Sequence, residues 1–173
     1  MNSVQAQRLG TFDRLVFEIK SVQQRLKLID REGKVYVQFS GYAYHDRNTY
    51  SRAKIKELNE RAWGFGIEKL LYTDDQHRES VNALVITDSH SDPQLSFAYE
   101  WQKHMAKMGP VHLWAGISGG IVLRSDFEYS PIPFVFPTIA ISYGRSTLKF
   151  VVIPKVSGAN NGNVVFALVS VGI

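Results

Sequence analysis

Cysteine is absent from the 173-residue chain, which excludes disulfide bridges, thiolate nucleophiles and cysteine-ligated metal sites. A strong charge of one sign is also lacking, because 20 basic residues against 16 acidic ones leave a net charge of only +4. Such a small excess does not indicate nucleic acid as a partner. Hydrophobic residues make up 45 % of the chain and charged residues 21 %, which is typical of a folded protein, and the length suits a single domain over residues 1–173.

No apolar run is long enough for a membrane-spanning helix. The longest, Gly109–Leu123, falls short of the roughly 20 residues that a bilayer requires and is interrupted by glycines. The run Tyr129–Gly144 carries three prolines, which a helix interior does not accept. The first ten residues are polar, so we expect no signal peptide in this chain. A transmembrane β-barrel stays open, because its strands need only about 9 to 11 residues.

An amphipathic helix is predicted over Thr11–Asp30. Its apolar residues recur at spacings of three, four and seven, and its other face is polar or charged. Gly33 is a suitable terminator. The helix could cover a soluble core or lie in a membrane interface, and the periodicity alone does not decide between them.

Beyond Gly33 the sequence changes to short segments that alternate apolar with polar residues, which is typical of strands. An even number of antiparallel strands can close on itself and leave no exposed sheet edge. We therefore predict an all-β protein, an eight-stranded antiparallel β-barrel over residues 34–173. The predicted strands are Lys34–Tyr44, Ala62–Tyr72, Ser80–Thr87, Gln94–Lys103, Val111–Leu123, Phe134–Tyr143, Thr147–Ile153 and Val164–Ile173.

The direction of the apolar face separates two kinds of barrel. A membrane barrel turns this face outward to lipid, whereas a soluble lipid-binding barrel of the lipocalin type turns it inward. Alternation fits both. The connections after the first, third, fifth and seventh strands share one rim and include the long segment Asp46–Arg61, an asymmetry typical of outer-membrane barrels. That segment has a local basic excess suited to phosphates, although a solvated charged loop gives the same pattern.

Motifs for metal and nucleotide binding are missing. The five histidines include no pair at helical i, i+4 spacing and no HExxH pattern, so a zinc site is not expected. The sequence also contains no glycine-rich phosphate loop and no GxSxG nucleophile elbow. We therefore expect neither a metal nor a cofactor.

Chemistry-bearing residues do meet at the rim with the long loops. His45 lies at the end of the first predicted strand, and Asp88 and Ser89 lie at the end of the third. Strands two positions apart lie roughly 10 Å apart, within reach of one substrate. Asp88 and Ser89 can both face that substrate only where the strand has already ended. His90 is a competing candidate, and ordinary turn residues would give the same pattern.

Several short motifs follow one another in order from about Val35 to the C-terminus. They are Tyr44-His45, Asn59-Glu60-Arg61-Ala62-Trp63-Gly64, Thr87-Asp88-Ser89, Tyr129-Ser130-Pro131-Ile132-Pro133, and Ile153-Pro154 with Asn160-Asn161-Gly162-Asn163-Val164. In this order and spacing the chain resembles the lipid A palmitoyltransferases of the PagP family. The resemblance implies an eight-stranded transmembrane barrel with an N-terminal amphipathic helix, located in the outer membrane of a Gram-negative bacterium. We expect it to be a monomer.

The resemblance also implies a reaction and its residues. A palmitoyl chain would move from the sn-1 position of a glycerophospholipid donor to a hydroxyacyl chain of the lipid A acceptor. The family's essential residues fall on His45, Asp88 and Ser89. We expect His45 to act as general base, Asp88 to orient or charge the imidazole, and Ser89 to be a nucleophile or a hydroxyl donor to the oxyanion.

Two further expectations concern the lipid. An inward glycine measures acyl length in the family, and an ungapped count puts Glu100 there, or Ala98 if the hairpin contains a gap; a charged side chain would shorten the pocket. The donor is expected to enter between strands where Pro131, Pro137 or Pro154 interrupts the backbone ladder. The alternatives are a non-catalytic structural outer-membrane barrel and a soluble lipocalin-type binder.

Overall fold

The structure is a computed structural model that describes residues 33–155 and 162–173. The helix predicted over Thr11–Asp30 lies outside the described residues. The chain divides at Gly33 into two units, and the second, residues 34–173, carries all the described strands. A single domain over residues 1–173 therefore stays a prediction.

The described strands form a closed antiparallel barrel. Each strand pairs with its neighbours in sequence, and the first pairs with the last to complete the circle. This confirms the predicted eight-stranded barrel. The strands are β1 Val35–His45, β2 Gly64–Thr73, β3 His77–Thr87, β4 Pro93–Met108, β5 Val111–Arg124, β6 Ile132–Tyr143, β7 Ser146–Ile153 and β8 Val164–Gly172; a short helix, α1 Arg52–Glu57, and a 3-10 turn, Ser125–Phe127, lie between them.

The two ends of the barrel differ in their connections. We call the end that carries the connections after β1, β3, β5 and β7 the loop rim, and the opposite end the turn rim. At the turn rim β4 and β5 meet in a tight hairpin, in which Gly109 has φ +59°, a left-handed conformation that favours glycine. Strand β4 extends to Met108, beyond the predicted end at Lys103, because a bulge between His104 and Ala106 lets the pairing with β5 continue where the alternation is lost.

The large apolar side chains of the barrel point outward. On β4, Phe97 and Tyr99 are both 44 % exposed, while Ala98 between them is 9 % exposed. The lipocalin-type alternative, which needs this aromatic stripe to face inward, is therefore wrong. A continuous apolar outer surface is typical of a wall that faces lipid. Among the described residues, no helix combines the length and the hydropathy needed to cross a membrane.

The lumen holds a polar layer toward the turn rim. The ammonium group of Lys149 on β7 contacts the carboxylate of Glu68 on β2 at 2.9 Å and the carboxylate of Glu100 on β4. Ser80 and Ser170 donate hydrogen bonds to Glu68 at 2.7 and 2.8 Å. Buried charges need such partners, because an unpaired charge in a low-dielectric interior is very costly.

A second, partly buried cation completes this layer. The guanidinium group of Arg78 on β3 donates hydrogen bonds to Gln102 Oε1 at 2.7 Å and to Ser142 Oγ at 2.9 Å. The indole ring of Trp114 lies 4.7 Å below the guanidinium carbon. Together with the two carboxylates, the two cations leave the layer without net charge. Gln38 on β1 also donates to Glu68 and Ser170, so side chains of this layer come from all eight strands.

The lumen is apolar toward the loop rim. Leu84 and Ile86 of β3 pack with Phe166 and Leu168 of β8 in one buried cluster. Ile55 of α1 is among the partly buried residues that pack against this cluster. The barrel therefore encloses an apolar cluster of side chains beneath the long loops and a hydrogen-bonded polar layer below it.

We predict that Lys149→Met lowers the free energy of unfolding by about 3–5 kcal/mol, because it leaves two buried carboxylates without their shared cation. Urea unfolding of the micelle-refolded barrel, followed by tryptophan fluorescence, measures the loss. The matched control is Lys103→Met, since Lys103 is exposed on the outer face of β4. Equal unfolding free energies for the two variants would contradict the assigned role of the polar layer.

Candidate active site

His45 and Ser89 meet at the loop rim. His45 is the last residue of β1, is 1 % exposed, and places Nε2 at 3.1 Å from Ser89 Oγ. Its imidazole ring packs against the Tyr50 ring in a T-shaped arrangement, with ring centroids 5.2 Å apart. Strand β3 ends at Thr87, so Ser89 is free of strand alternation and turns back toward the lumen. Strands two positions apart have backbones roughly 10 Å apart. The side chains of His45 and Ser89 span this distance and come into contact.

Asp88 is buried, and its carboxylate is hydrogen-bonded within its own loop. Its Oδ1 accepts hydrogen bonds from the backbone N–H groups of His90 at 2.8 Å and Asp92 at 2.9 Å, and Arg124 donates to its Oδ2 at 3.2 Å. No hydrogen bond or ion pair joins Asp88 to His45 in the part of the chain that the structure describes. The geometry thus differs from the expected place of Asp88 beside the imidazole: this carboxylate closes the loop that carries Ser89.

The carboxylate nearest to the imidazole is that of Glu60, which the sequence analysis did not single out. Glu60 Oε1 lies 3.4 Å from His45 Nδ1 and accepts a hydrogen bond from the backbone N–H of His45 at 3.0 Å. The Arg47 guanidinium donates to both oxygens, at 2.7 and 2.8 Å, and these bonds lower the pKa of Glu60 to about 2. Glu60 lies in the Asn59–Gly64 motif, and this motif is the sequence signal that could have identified it.

His90, the competing candidate, does not reach the serine. Its side chain is 54 % exposed, and its Nδ1 lies 3.8 Å from Asp88 Oδ2. The structure therefore brings His45 and not His90 to Ser89. Within residues 33–155 and 162–173, no group of three or more histidine, aspartate or glutamate side chains is arranged to hold a metal ion.

The two candidates for the acyl-pocket floor both face the lumen on β4. Ala98 is 9 % exposed and Glu100 is 2 % exposed. Because β4 runs from the loop rim to the turn rim, Ala98 is the nearer of the two to His45. Glu100 belongs to the polar layer through its ion pair with Lys149.

The prolines proposed for lateral access flank an incomplete ladder. The β6–β7 pairing stops at Thr138 and Val151, whereas the β5–β6 pairing continues to Ile132. The segment Ile132–Pro137 of β6 is therefore not paired with β7. Pro137 lies in this segment, Pro131 immediately precedes β6, and Pro154 immediately follows β7.

A closed barrel with an apolar outer wall and a histidine–serine pair at one end of its lumen defines an outer-membrane β-barrel with a candidate acyl-transfer site. The family model described as "Antimicrobial peptide resistance and lipid A acylation protein PagP" matches residues 25–170. The chain belongs to the PagP family. It is accordingly an outer-membrane protein of Gram-negative bacteria.

Curated relatives agree with this family. The protein "Lipid A acyltransferase PagP" of Legionella pneumophila (strain Philadelphia 1) is 35 % identical over 152 residues, which is 87 % of this chain and 80 % of that protein. The protein of the same name from Bordetella pertussis (strain Tohama I) is 35 % identical over 144 residues, covering 83 % and 78 %. The one from Laribacter hongkongensis is 35 % identical over 136 residues; the match covers 79 % of this chain and 65 % of that protein.

Among solved structures, the crystal structure of Neisserial surface protein A (NspA) is similar, with a TM-score of 0.41 and 16 % sequence identity. The match covers 82 % of this chain and 96 % of that chain.

Proposed function

We propose that the protein is a lipid A acyltransferase. It transfers a palmitoyl or similar chain from the sn-1 position of a glycerophospholipid to the hydroxyl of a hydroxyacyl chain on lipid A. The observation that carries the proposal is the 3.1 Å contact between His45 Nε2 and Ser89 Oγ at the opening of an apolar lumen. The names of the family and of its relatives support the acceptor.

The reaction is a transesterification. The acceptor hydroxyl loses its proton as its oxygen bonds to the acyl carbon, and the bond from that carbon to the glycerol oxygen breaks. His45 takes the proton and returns it to the departing glycerol oxygen. Ser89 acts either as a transient nucleophile, which splits the transfer into two steps, or as a hydroxyl that donates to the oxyanion. Asp88 contributes by holding the loop that carries Ser89.

The apolar part of the lumen suits the acyl chain. Leu84, Ile86, Phe166 and Leu168 belong to its buried cluster below the loop rim. A fatty chain gains free energy when such a surface removes it from water, at about 25 cal/mol per Å² of apolar area. The non-catalytic alternative gives no chemical role to the His45–Ser89 contact.

We predict that His45→Asn and Ser89→Ala each lower the rate of acylation by about 10²–10⁴-fold, because each removes a group that handles the transferred proton or the oxyanion. Refolded protein is incubated with defined phospholipids and lipid A, and the lipid A product is weighed by mass spectrometry. His90→Asn, in the same loop but exposed, is the control and should retain activity. Unchanged acylation in both site variants would exclude these two residues from the chemistry, and a wild-type protein that forms no acylated lipid A would support the non-catalytic barrel.

We propose that Glu100 forms the floor of the acyl pocket and that Ala98 belongs to its wall. The step from Pro93 at the loop rim to Glu100 spans about 23 Å along β4, at about 3.3 Å per residue. A strand tilt near 40° reduces this to a depth of about 18 Å. The ion pair with Lys149 holds the Glu100 side chain across the lumen at that depth, so the chain of the lipid ends there.

We predict that Glu100→Ala shifts the transferred chain to greater length and that Ala98→Met shifts it to shorter length. The first change deepens the pocket while Lys149 keeps its partner Glu68, and the second fills the pocket above the floor. Glu100→Gln, which preserves size, is the control and should keep the wild-type preference. Competition among phospholipids of graded acyl length, with mass analysis of lipid A, measures the shift. An unchanged preference in Glu100→Ala would place the floor at Ala98 instead.

We propose that the donor lipid enters sideways between β6 and β7. The observation that supports this route is the segment Ile132–Pro137, which has no backbone pairing with β7 beside the apolar cluster. Pro137 within this segment, Pro131 just before β6 and Pro154 just after β7 lack the backbone N–H groups that further pairing would use.

We predict that a crosslink between cysteines at positions 137 and 152 abolishes turnover, because it closes the wall just beyond the last paired residues. The absence of native cysteine makes the crosslink unambiguous. A short thiol-reactive crosslinker is applied, and acylation is assayed before and after a reductant cleaves it. The control joins positions 139 and 150, which already face each other as Ile139 and Phe150 in the ladder. Full turnover with the 137–152 crosslink intact would exclude this route.

A further inference from the structure

A buried imidazole nitrogen at the candidate site lacks a complete hydrogen bond. His45 Nδ1 is fully shielded from solvent and has no hydrogen-bond partner among the described residues. At 3.4 Å, Glu60 Oε1 is within ion-pair range but outside hydrogen-bonding alignment. Since Asp88 is bonded to its own loop and to Arg124, Glu60 is the carboxylate placed to act on this nitrogen.

We propose that Glu60 is the residue that positions His45 and fixes its tautomer for acyl transfer. This inference rests on the proposed function, because it assigns His45 Nε2 as the base. An ionised carboxylate opposite Nδ1 favours the tautomer with the hydrogen on Nδ1. The lone pair of Nε2 then faces Ser89. When Nε2 takes the proton of the attacking hydroxyl, the imidazolium charge lies beside Glu60.

The fold fixes Glu60 with respect to both partners of the reaction. The backbone carbonyl of Glu60 accepts a hydrogen bond from Ala43 at 2.9 Å, which extends the pairing of β1 beyond the end of β2. The neighbouring N–H of Asn59 donates to the carbonyl of Ser89 at 2.7 Å. One short segment thus joins the strand of the histidine to the loop of the serine.

Arg47 determines which oxygen atoms of Glu60 are available to the imidazole. Its guanidinium engages both carboxylate oxygens, and Oε1 also accepts the His45 backbone N–H. The groups that face the imidazole are the charged Glu60 and Arg47, the ring of Tyr50 and the carbonyl of Ala43. In Glu60→Gln only one oxygen remains, and Arg47 competes for it. The amide –NH₂ then turns toward Nδ1 and donates to it, which moves the imidazole hydrogen to Nε2 and removes the base.

The test compares Glu60→Gln with Glu57→Gln, since Glu57 lies in the same connection but is 63 % exposed and forms an ion pair with Lys54. We expect Glu60→Gln to lower kcat by at least about 10²-fold with KM nearly unchanged. We expect the acid limb of the pH–rate profile, measured on the residual activity of Glu60→Gln, to move to lower pH. The reason is that this variant lacks the negative charge beside the imidazolium. Nitrogen-15 NMR of histidine-labelled protein in micelles should show hydrogen on Nδ1 in wild type and on Nε2 in Glu60→Gln.

The NMR readout needs no substrate, so it separates this inference from the proposed function. If wild-type protein transfers no acyl chain, the proposed function fails while the tautomer comparison still tests the contact. The inference is overturned if Glu60→Gln matches Glu57→Gln in kcat, in pH profile and in tautomer. Glu60→Asp, which keeps the charge, should restore the Nδ1 tautomer. If Glu60→Gln does not refold, the wild-type tautomer decides, because hydrogen on Nε2 there contradicts the assignment.

Discussion

Closure of the sheet is the constraint on which the other features depend. In a closed barrel every second side chain must enter a narrow lumen, and each inward polar group must find its partner there. Lys149 meets Glu68 and Glu100, and Arg78 meets Ser142. These contacts cross the lumen between strands that are not neighbours in the sheet. They therefore fix the shape of the barrel in a way that the backbone ladder alone does not.

The candidate site depends on where strands stop. β1 continues to His45, so the imidazole follows the alternation and points inward. β3 stops at Thr87, so Ser89 is positioned by loop contacts instead, with Asp88 closing the loop and Asn59 holding the serine carbonyl. The end of β1 and the loop after β3 thereby bring His45 Nε2 to 3.1 Å from Ser89 Oγ. Such precision requires support from neighbouring polar groups.

Much of the barrel follows from local pattern, whereas the site does not. Alternation in segments such as Gln94–Lys103 predicts strands, because each side chain's face depends only on its parity. The extension of β4 to Met108 depends on a bulge, which parity cannot foresee. The pairing of Lys149 with Glu100 and of Glu60 with His45 joins residues distant in sequence. Their contacts depend on the register of several strands, so the sequence marks the residues but not their partners.

The interactions that hold the strands together differ between the two halves of the barrel. Toward the turn rim, short hairpins and the Lys149 layer bind the strands to one another, and the β6–β7 ladder is complete from Thr138 to Tyr143. Toward the loop rim the lumen is apolar and that ladder is missing over Ile132–Pro137. Local opening is easiest where backbone pairing is sparse. An opening of the wall beside the apolar cluster is thus compatible with a stable barrel, because the polar contacts across the lumen are concentrated at the other end.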